Sequence, residues 1–109
     1  MKVITRKRKS DHDPKQLLES ITEKTDLVRL EASDYDDEPY STDLDFEDRI
    51  ICGKETIMAD TKKVLGIIDM ELFMKYHMDD HFFEYGDLVE YEGKLYIKTP
   101  VGFVEAELK

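Results

Sequence analysis

The stretch "DLVEYEGKLYIKTPVGFVEAEL", residues 87–108, carries the clearest structural signal in the chain. It contains three short segments that are rich in β-branched and aromatic residues. These segments are DLVEY, KLYIKT and FVEAEL. The turn-forming sequences EG and PVG separate them, which predicts a three-stranded antiparallel meander. Such hairpins occur in many unrelated small β modules, so the pattern indicates a fold and not a function.

The composition places this meander in one small domain. The chain has 109 residues, of which 40% are hydrophobic, and includes six Tyr and five Phe. A chain of this length can bury roughly two-thirds of its extended surface, which is enough for one modest core. Charged residues make up 39% of the chain, well above the average, so polar loops or arms outside that core are expected. We therefore expect a single domain over residues 1–109.

The net charge and the apolar runs argue against several classes of function. The formal charge is −10, and nucleic-acid backbones are recognised by Lys and Arg, so direct nucleic-acid binding by the whole domain is not expected. No apolar run approaches the length of a membrane span, and no membrane association is expected. The single Cys52 cannot form an intrachain disulfide, which is compatible with a reducing compartment. The expected location is the cytoplasm, or the host cytoplasm or virion if the protein is viral.

Charge is unevenly distributed along the chain. The basic N-terminal arm, residues 1–10, holds five cationic side chains and no acidic one. The acidic loop, residues 31–48, holds nine carboxylates and no Lys, Arg or His. Because Lys2–Thr5 has strand character, we expect the arm to join the sheet, with its basic run near the acidic loop. Exposed ion pairs add little stability each, but several facing charges can fix the position of a loop.

Two helices are predicted. The first runs from Pro14 to about Lys24 after Asp13, which can cap it. Its apolar residues recur at helical spacing: Leu17, Leu18 and Ile21. The second runs from Asp69 to His81, and one of its faces carries Met70, Phe73, Met74, His77, Met78 and His81. The sequence leaves open whether this face packs in the core or meets a partner.

Further strands complete the predicted fold. Residues 25–32, TDLVRLEA, alternate apolar and polar positions as a strand does. Residues 49–60 and 61–69 are also predicted as strands, with a helix from Glu55 as the alternative. Together with the meander, these elements predict an α+β fold: a small curved antiparallel sheet or barrel-like meander with two short helices.

The sequence HMDDH, residues 77–81, is the only spacing typical of a metal site. Two histidines four residues apart on a helix point the same way, as in zinc sites. A zinc site needs at least a third ligand, and the other candidate ligands show no paired spacing with this one. The surrounding Met and Phe residues are more typical of a packed or interface histidine. No metal or other cofactor is therefore predicted, and His77 and His81 are the weaker candidate ligands.

No catalytic constellation is recognisable. The sequence ICGKET lacks the first glycine of a phosphate-binding loop. Cys52 lies in an apolar segment, which is more typical of a buried side chain than of a nucleophile paired with His77. The acidic loop has Pro and Tyr where a calcium-binding loop needs its turn. The protein is therefore predicted not to be an enzyme.

The acidic loop is the remaining candidate site. Its interleaved aromatic residues would anchor it or add contact area, and its carboxylates would face basic groups of a partner. The predicted partner-binding residues are Asp34, Tyr35, Asp36, Asp37, Glu38, Tyr40, Asp43 and Asp45.

This pattern predicts a non-catalytic acidic protein-binding module, an adaptor or inhibitor that docks on a positively charged protein, including one that itself binds nucleic acid. The alternative is a small structural or assembly subunit, such as a viral connector or accessory protein, that binds copies of itself. A metal-dependent enzyme is the third hypothesis. A solvated acidic loop without a partner also remains open.

Overall fold

The meander is the centre of a larger sheet. The computed structural model describes residues 2–44, 60–79 and 82–109. The elements in chain order are β1 (Lys2–Arg6), α1 (Lys15–Ser20), β2 (Leu27–Leu30), a 3-10 turn (Ala32–Asp34), β3 (Tyr40–Asp43), α2 (Thr61–Tyr76), β4 (Leu88–Tyr91), β5 (Lys94–Thr99) and β6 (Gly102–Leu108). The strands within these ranges form one six-stranded sheet in the order β2-β6-β5-β4-β1-β3.

The predicted antiparallel meander is confirmed as β4, β5 and β6. The turn between β4 and β5 has positive φ at both central residues, 52° at Glu92 and 79° at Gly93. Positive φ at both positions is what a two-residue hairpin turn of type I′ requires. At the next turn Gly102 has a φ of 109°, which glycine adopts without a Cβ penalty. The turns fix the register and with it the face to which each side chain points.

The α+β prediction is confirmed, but the sheet is neither purely antiparallel nor closed. β2 runs parallel to β6, whereas every other neighbouring pair is antiparallel. β2 and β3 lie at opposite ends of the strand order, so the barrel-like alternative is wrong for the described part of the chain. The reason is that β1 and β3 extend the meander on one side while β2 extends it on the other.

The first helix is shorter than predicted. α1 has six residues, and the backbone is already extended at Ile21. Asp13 acts near its start as expected, because its Oδ1 accepts a hydrogen bond from the Lys15 N–H at 3.0 Å. Ile21 is buried all the same, since the extended chain after α1 turns it into the core.

The second helix starts earlier than predicted. α2 spans Thr61–Tyr76, whereas the sequence predicted Asp69–His81. The Asp60 carboxylate caps it by accepting hydrogen bonds from the N–H groups of Lys62 at 3.1 Å and Lys63 at 3.3 Å. The strand predicted over the first half of α2 is therefore wrong. The strand predicted just before it lies almost entirely outside the described residues.

α2 has two apolar stripes, and only one packs against the sheet. The buried stripe is Val64, Leu65, Ile68, Leu72 and Tyr76. The stripe that formed the predicted helix face is exposed at Met70, Phe73, Met74, His77 and Met78. Glu71, on the same helix, is also buried. The predicted face is therefore a surface and not a core feature.

The sheet is covered on both faces. α2 packs against one face in a cluster that includes Leu72 and Val89. α1 and the chain around Tyr35 cover the other face in a cluster that includes Ile97. Within the described ranges, no helix has the length and apolar character needed to cross a bilayer.

Candidate functional site

The acidic loop is partly a strand, because β3 lies within it. β3 pairs antiparallel with β1, from Thr5 opposite Tyr40 to Lys2 opposite Asp43. The sequence YSTD of β3 contains residues that favour strands, a signal hidden by the acidic residues on both sides. The basic arm therefore lies directly beside the acidic loop.

Hydrogen bonds from the arm hold the acidic loop by its backbone. The Arg6 guanidinium donates to the carbonyl oxygens of Asp36 at 3.0 Å and Asp37 at 3.3 Å. The Asp36 N–H donates to the Lys7 carbonyl oxygen at 2.9 Å. These bonds fix the path of the chain without using the side-chain carboxylates.

Tyr35 anchors the loop in the interior. Its side chain is fully buried, and its hydroxyl donates to the Gly86 carbonyl oxygen at 2.8 Å. The Arg8 guanidinium donates to the same hydroxyl at 3.3 Å and lies 5.4 Å from the ring centroid. Burial raises the pKa of the Tyr35 phenol, and the hydrogen bond and charge of Arg8 oppose this only in part. Of the two roles that the sequence left open for Tyr35, its burial fits anchoring.

Asp34 is also engaged inside the protein. Its carboxylate lies 2.6 Å from the Nδ1 atom of His12 and 3.8 Å from the Nη2 atom of Arg8. The side chain is about three-quarters buried. Asp34 therefore helps to position the loop and is less accessible to a partner than the sequence suggested.

Within the acidic loop, the described carboxylates that follow Tyr35 are all exposed. We call this set the acidic edge, and it consists of Asp36, Asp37, Glu38 and Asp43. None of the four side chains has an ion pair or a hydrogen bond to another described residue. Tyr40 lies among them and packs edge to face on Tyr76, with 5.9 Å between ring centroids. Asp45, the last predicted partner-binding residue, is outside the described residues.

A buried carboxylate joins the basic arm to the loop before β4. Asp87 accepts hydrogen bonds from the Arg8 N–H at 2.8 Å, the Glu84 N–H at 2.9 Å and the Lys7 ammonium at 3.0 Å. Burial raises the pKa of the Asp87 carboxyl, and these donors counteract it in part. Burial alone would lower the pKa of the Lys7 ammonium, but the charges of Asp87 and Glu84 and the hydrogen bonds to them outweigh it, so that pKa is raised.

An open groove of about 600 Å³ lies between α2 and the loop before β4. We call it the aromatic groove, and it is lined by Pro14, Phe73, Phe82, Phe83, Glu84, Tyr85 and Lys98. The rings of Phe73 and Phe82 meet at 65° with 5.9 Å between centroids. Phe73 is 54% exposed and Tyr85 is 52% exposed. This groove was not predicted from the sequence, in which the aromatic run FFEY at 82–85 is its local signal.

The cation in the groove is already neutralised. The Lys98 ammonium donates to Asp69 Oδ1 at 2.8 Å and to the Phe83 carbonyl oxygen at 3.2 Å. It also lies 5.1 Å from the Tyr85 ring centroid and 5.4 Å from that of Phe83, within reach of cation–π attraction. Lys98 therefore holds the aromatic walls in place. Its positive charge is balanced by the negative charge of Asp69.

The first residue of the predicted histidine pair, His77, lies in the described part of the chain. His77 is exposed and stacks on Phe73, with 5.7 Å between ring centroids. His81 and Cys52 lie outside the described residues. In the remaining, described part of the chain no group of three His, Cys, Asp or Glu side chains is arranged to hold a metal ion.

Lys7 connects the acidic edge to the aromatic groove. Its carbonyl oxygen accepts the Asp36 N–H, and its ammonium donates to Glu84 Oε2 at 3.0 Å. The two surfaces are therefore neighbours that share one basic residue. Comparisons with protein-family models, with curated proteins and with solved structures found no match to this chain.

Proposed function

We propose that the protein is a non-catalytic protein-binding module that docks on a positively charged protein through its acidic edge. One observation carries the proposal. The carboxylates of Asp36, Asp37 and Glu38 are exposed without an ion pair to any described residue, although the Arg6 guanidinium lies beside them. Arg6 binds backbone carbonyl oxygens instead.

Such an arrangement has an electrostatic cost that the fold itself does not require. Neighbouring carboxylates repel each other, and the whole chain already carries a charge of −10. The buried Tyr35 and the pairing of β3 with β1 nevertheless hold the segment in one path. A fixed negative surface favours rapid association with a basic surface, because its charges steer the encounter and need little reorganisation.

The proposed partner is a basic protein, and the module acts as an adaptor or an inhibitor. Carboxylates on a fixed backbone can occupy a groove that otherwise binds phosphates, so a nucleic-acid-binding protein fits this description. The proposed setting is the cytoplasm, or a host cytoplasm or virion for a viral protein, because the lone Cys52 suits a reducing compartment.

Neutralising the acidic edge is expected to slow association and spare the fold. The triple variant Asp36→Asn, Asp37→Asn, Glu38→Gln should bind a synthetic Lys- and Arg-rich peptide several-fold more slowly than wild type at low salt. The difference should shrink as salt screens charges beyond about 8 Å at physiological ionic strength. The melting temperature should stay unchanged or rise, because repulsion is removed. Stopped-flow kinetics across a salt series measure the first effect, and calorimetry measures the second.

A matched control separates the acidic edge from net charge alone. The variant Glu19→Gln, Glu23→Gln, Asp26→Asn also removes three negative charges, but from exposed positions around α1. It should change the association rate much less than the acidic-edge variant. Equal slowing by both variants, or identical rates and salt slopes for all three proteins, would contradict the proposal and leave the acidic loop as a solvated surface.

The alternative function, an assembly subunit, is favoured by a different surface. The outer side of α2 and the turn after it expose Met70, Met74 and Met78, more contiguous apolar surface than scattered single residues provide. Gly66 lies on the same helix with nothing within 4 Å of where a Cβ would be. Glycine costs a helix about 1 kcal/mol relative to alanine, and a close approach by another copy would explain its use. A dimer or larger mass in light scattering would favour assembly, whereas the adaptor needs only a monomer.

A further inference from the structure

We infer that the aromatic groove is the anchor site of the same docking surface. It takes one aromatic or large aliphatic side chain from a partner segment that carries Lys or Arg beside it. The inference rests on the proposed function, since it assigns the basic part of that segment to the acidic edge. It adds a specific apolar contact to what is otherwise an electrostatic interaction.

The lining of the groove suits an apolar side chain. Four aromatic rings and Pro14 surround about 600 Å³ of open space. Phe73 and Tyr85 both line the groove, and each is about half exposed. Clustered exposed aromatic residues at a concave site are the usual anchors of protein interfaces, because a partner side chain buried there displaces water from all of them.

The charges around the groove select a basic segment over an acidic one. The Lys98 side chain is only 17% exposed and its ammonium is paired with Asp69, so it offers little to an incoming carboxylate. Glu84 is 62% exposed at the rim. Its one ion-pair partner among the described residues, Lys7, is shared with the buried Asp87. The rim therefore presents excess negative charge next to the aromatic walls.

Two hydrogen-bonded contacts link the loop that lines the groove to the chain at the start of the acidic edge. The first is Lys7, whose carbonyl oxygen accepts the Asp36 N–H and whose ammonium binds Glu84. The second is the hydrogen bond from the Tyr35 hydroxyl to the Gly86 carbonyl oxygen at 2.8 Å. An extended segment advances about 3.3 Å per residue, so a short peptide can place an anchor in the groove and its basic residues along the acidic edge.

Three synthetic peptides of equal length test the inference. The first is rich in Lys and Arg and has a central Phe; the second replaces that Phe with Ser; the third keeps the Phe and replaces the basic residues with Glu. Isothermal titration calorimetry or fluorescence anisotropy gives each dissociation constant. The basic Phe peptide should bind wild type about tenfold or more tightly than the basic Ser peptide, because burying a Phe ring is favourable. The acidic Phe peptide should bind most weakly.

Matched variants locate the effect. The double variant Phe73→Ala, Tyr85→Ala should reduce binding of the basic Phe peptide to the level of the basic Ser peptide and leave the latter unchanged. The control Met74→Ala, Met78→Ala removes exposed apolar side chains of α2 and the turn after it that do not line the groove, and it should leave the preference for Phe intact. Melting temperatures close to that of wild type establish that each variant is folded.

The outcomes distinguish this inference from the proposed function. Equal affinity for the Phe and Ser peptides, or an unchanged Phe preference in Phe73→Ala, Tyr85→Ala, would overturn the anchor site while the acidic edge stands. Binding of both basic peptides that is unaffected by neutralising the acidic edge would overturn the proposed function. Tighter binding of the acidic Phe peptide would overturn the assignment of a basic partner segment.

Discussion

Leu72→Ala is expected to lower the free energy of unfolding by about 2 to 5 kcal/mol, whereas Phe73→Ala should lower it by about 1 kcal/mol or less. The two residues are neighbours in α2 but lie on opposite apolar stripes. Leu72 is 1% exposed and packs between the helix and the sheet, while Phe73 is largely exposed. Truncating the first leaves a cavity in the core; truncating the second removes surface contacts with Phe82 and His77. Urea denaturation of the wild type and the two variants measures both values.

Met74→Ala serves as a control on the outer stripe and should also cost little, because Met74 is exposed. Losses of several kcal/mol in Phe73→Ala and Met74→Ala together with a small loss in Leu72→Ala would mean that the helix packs by its outer stripe. Such a result would also remove the exposed aromatic residue from the groove.

Asp87→Ala is expected to lower the free energy of unfolding by about 3 to 5 kcal/mol. The substitution leaves the partly buried Lys7 ammonium without its buried carboxylate partner. It also removes the acceptor of the Arg8 and Glu84 N–H groups. Removing one partner from a buried charged network leaves the others desolvated and unpaired, which costs more than the interaction itself contributes. Thermal and urea unfolding at neutral pH provide the measurement.

Glu84→Ala is the matched control for Asp87. Glu84 binds the same Lys7 ammonium at the same distance of 3.0 Å, but its side chain is 62% exposed and the Asp87 side chain only 4%. Exposed ion pairs contribute little, so we expect a loss of about 1 kcal/mol or less. Similar losses for the two variants would show that Asp87 is not the buried connection between the arm and the loop before β4.

The strands of the meander could be predicted because local signals agree. Alternation of apolar and polar residues, β-branched residues and a Glu92-Gly93 turn all favour the same hairpin. The strand character of Lys2–Thr5 was also sufficient to place the arm in the sheet. In the meander, residues close in sequence determine the structure, whereas β1 pairs with the distant strands β3 and β4, so its strand character predicted that it joins the sheet but not which neighbours it has.

The packing of α2 could not be predicted for a physical reason. Its sequence contains two overlapping helical stripes, and the more regular one, from Met70 to Met78, faces outward. Periodicity shows that a face is apolar but not which apolar face meets the sheet. The apolar run VLGII, with three β-branched residues, additionally favoured a strand where the Asp60 cap starts a helix. Only tertiary contacts decide these alternatives.

The candidate site also combines features that follow from local sequence with features that depend on long-range contacts. The exposure of Asp36, Asp37 and Glu38 follows from their type and neighbours. Tyr35 is buried, whereas Tyr40 is exposed. The hydrogen-bond partner of the buried Tyr35 hydroxyl is Gly86, which is 51 residues further along the chain. The aromatic groove combines Pro14, a helix residue and a strand residue that no local pattern connects. Long-range partners are therefore what the sequence alone did not provide.

The most direct test of the proposed docking surface is an amide chemical-shift map. The ¹⁵N-labelled protein is titrated with the Lys- and Arg-rich peptide that has a central Phe. We predict that the largest shifts fall at residues 36–43, at Phe73 and at residues 82–86, with little change in α1 and β2. Shifts concentrated in α1 and β2, or spread evenly over every exposed acidic residue, would contradict a docking surface built from the acidic edge and the aromatic groove.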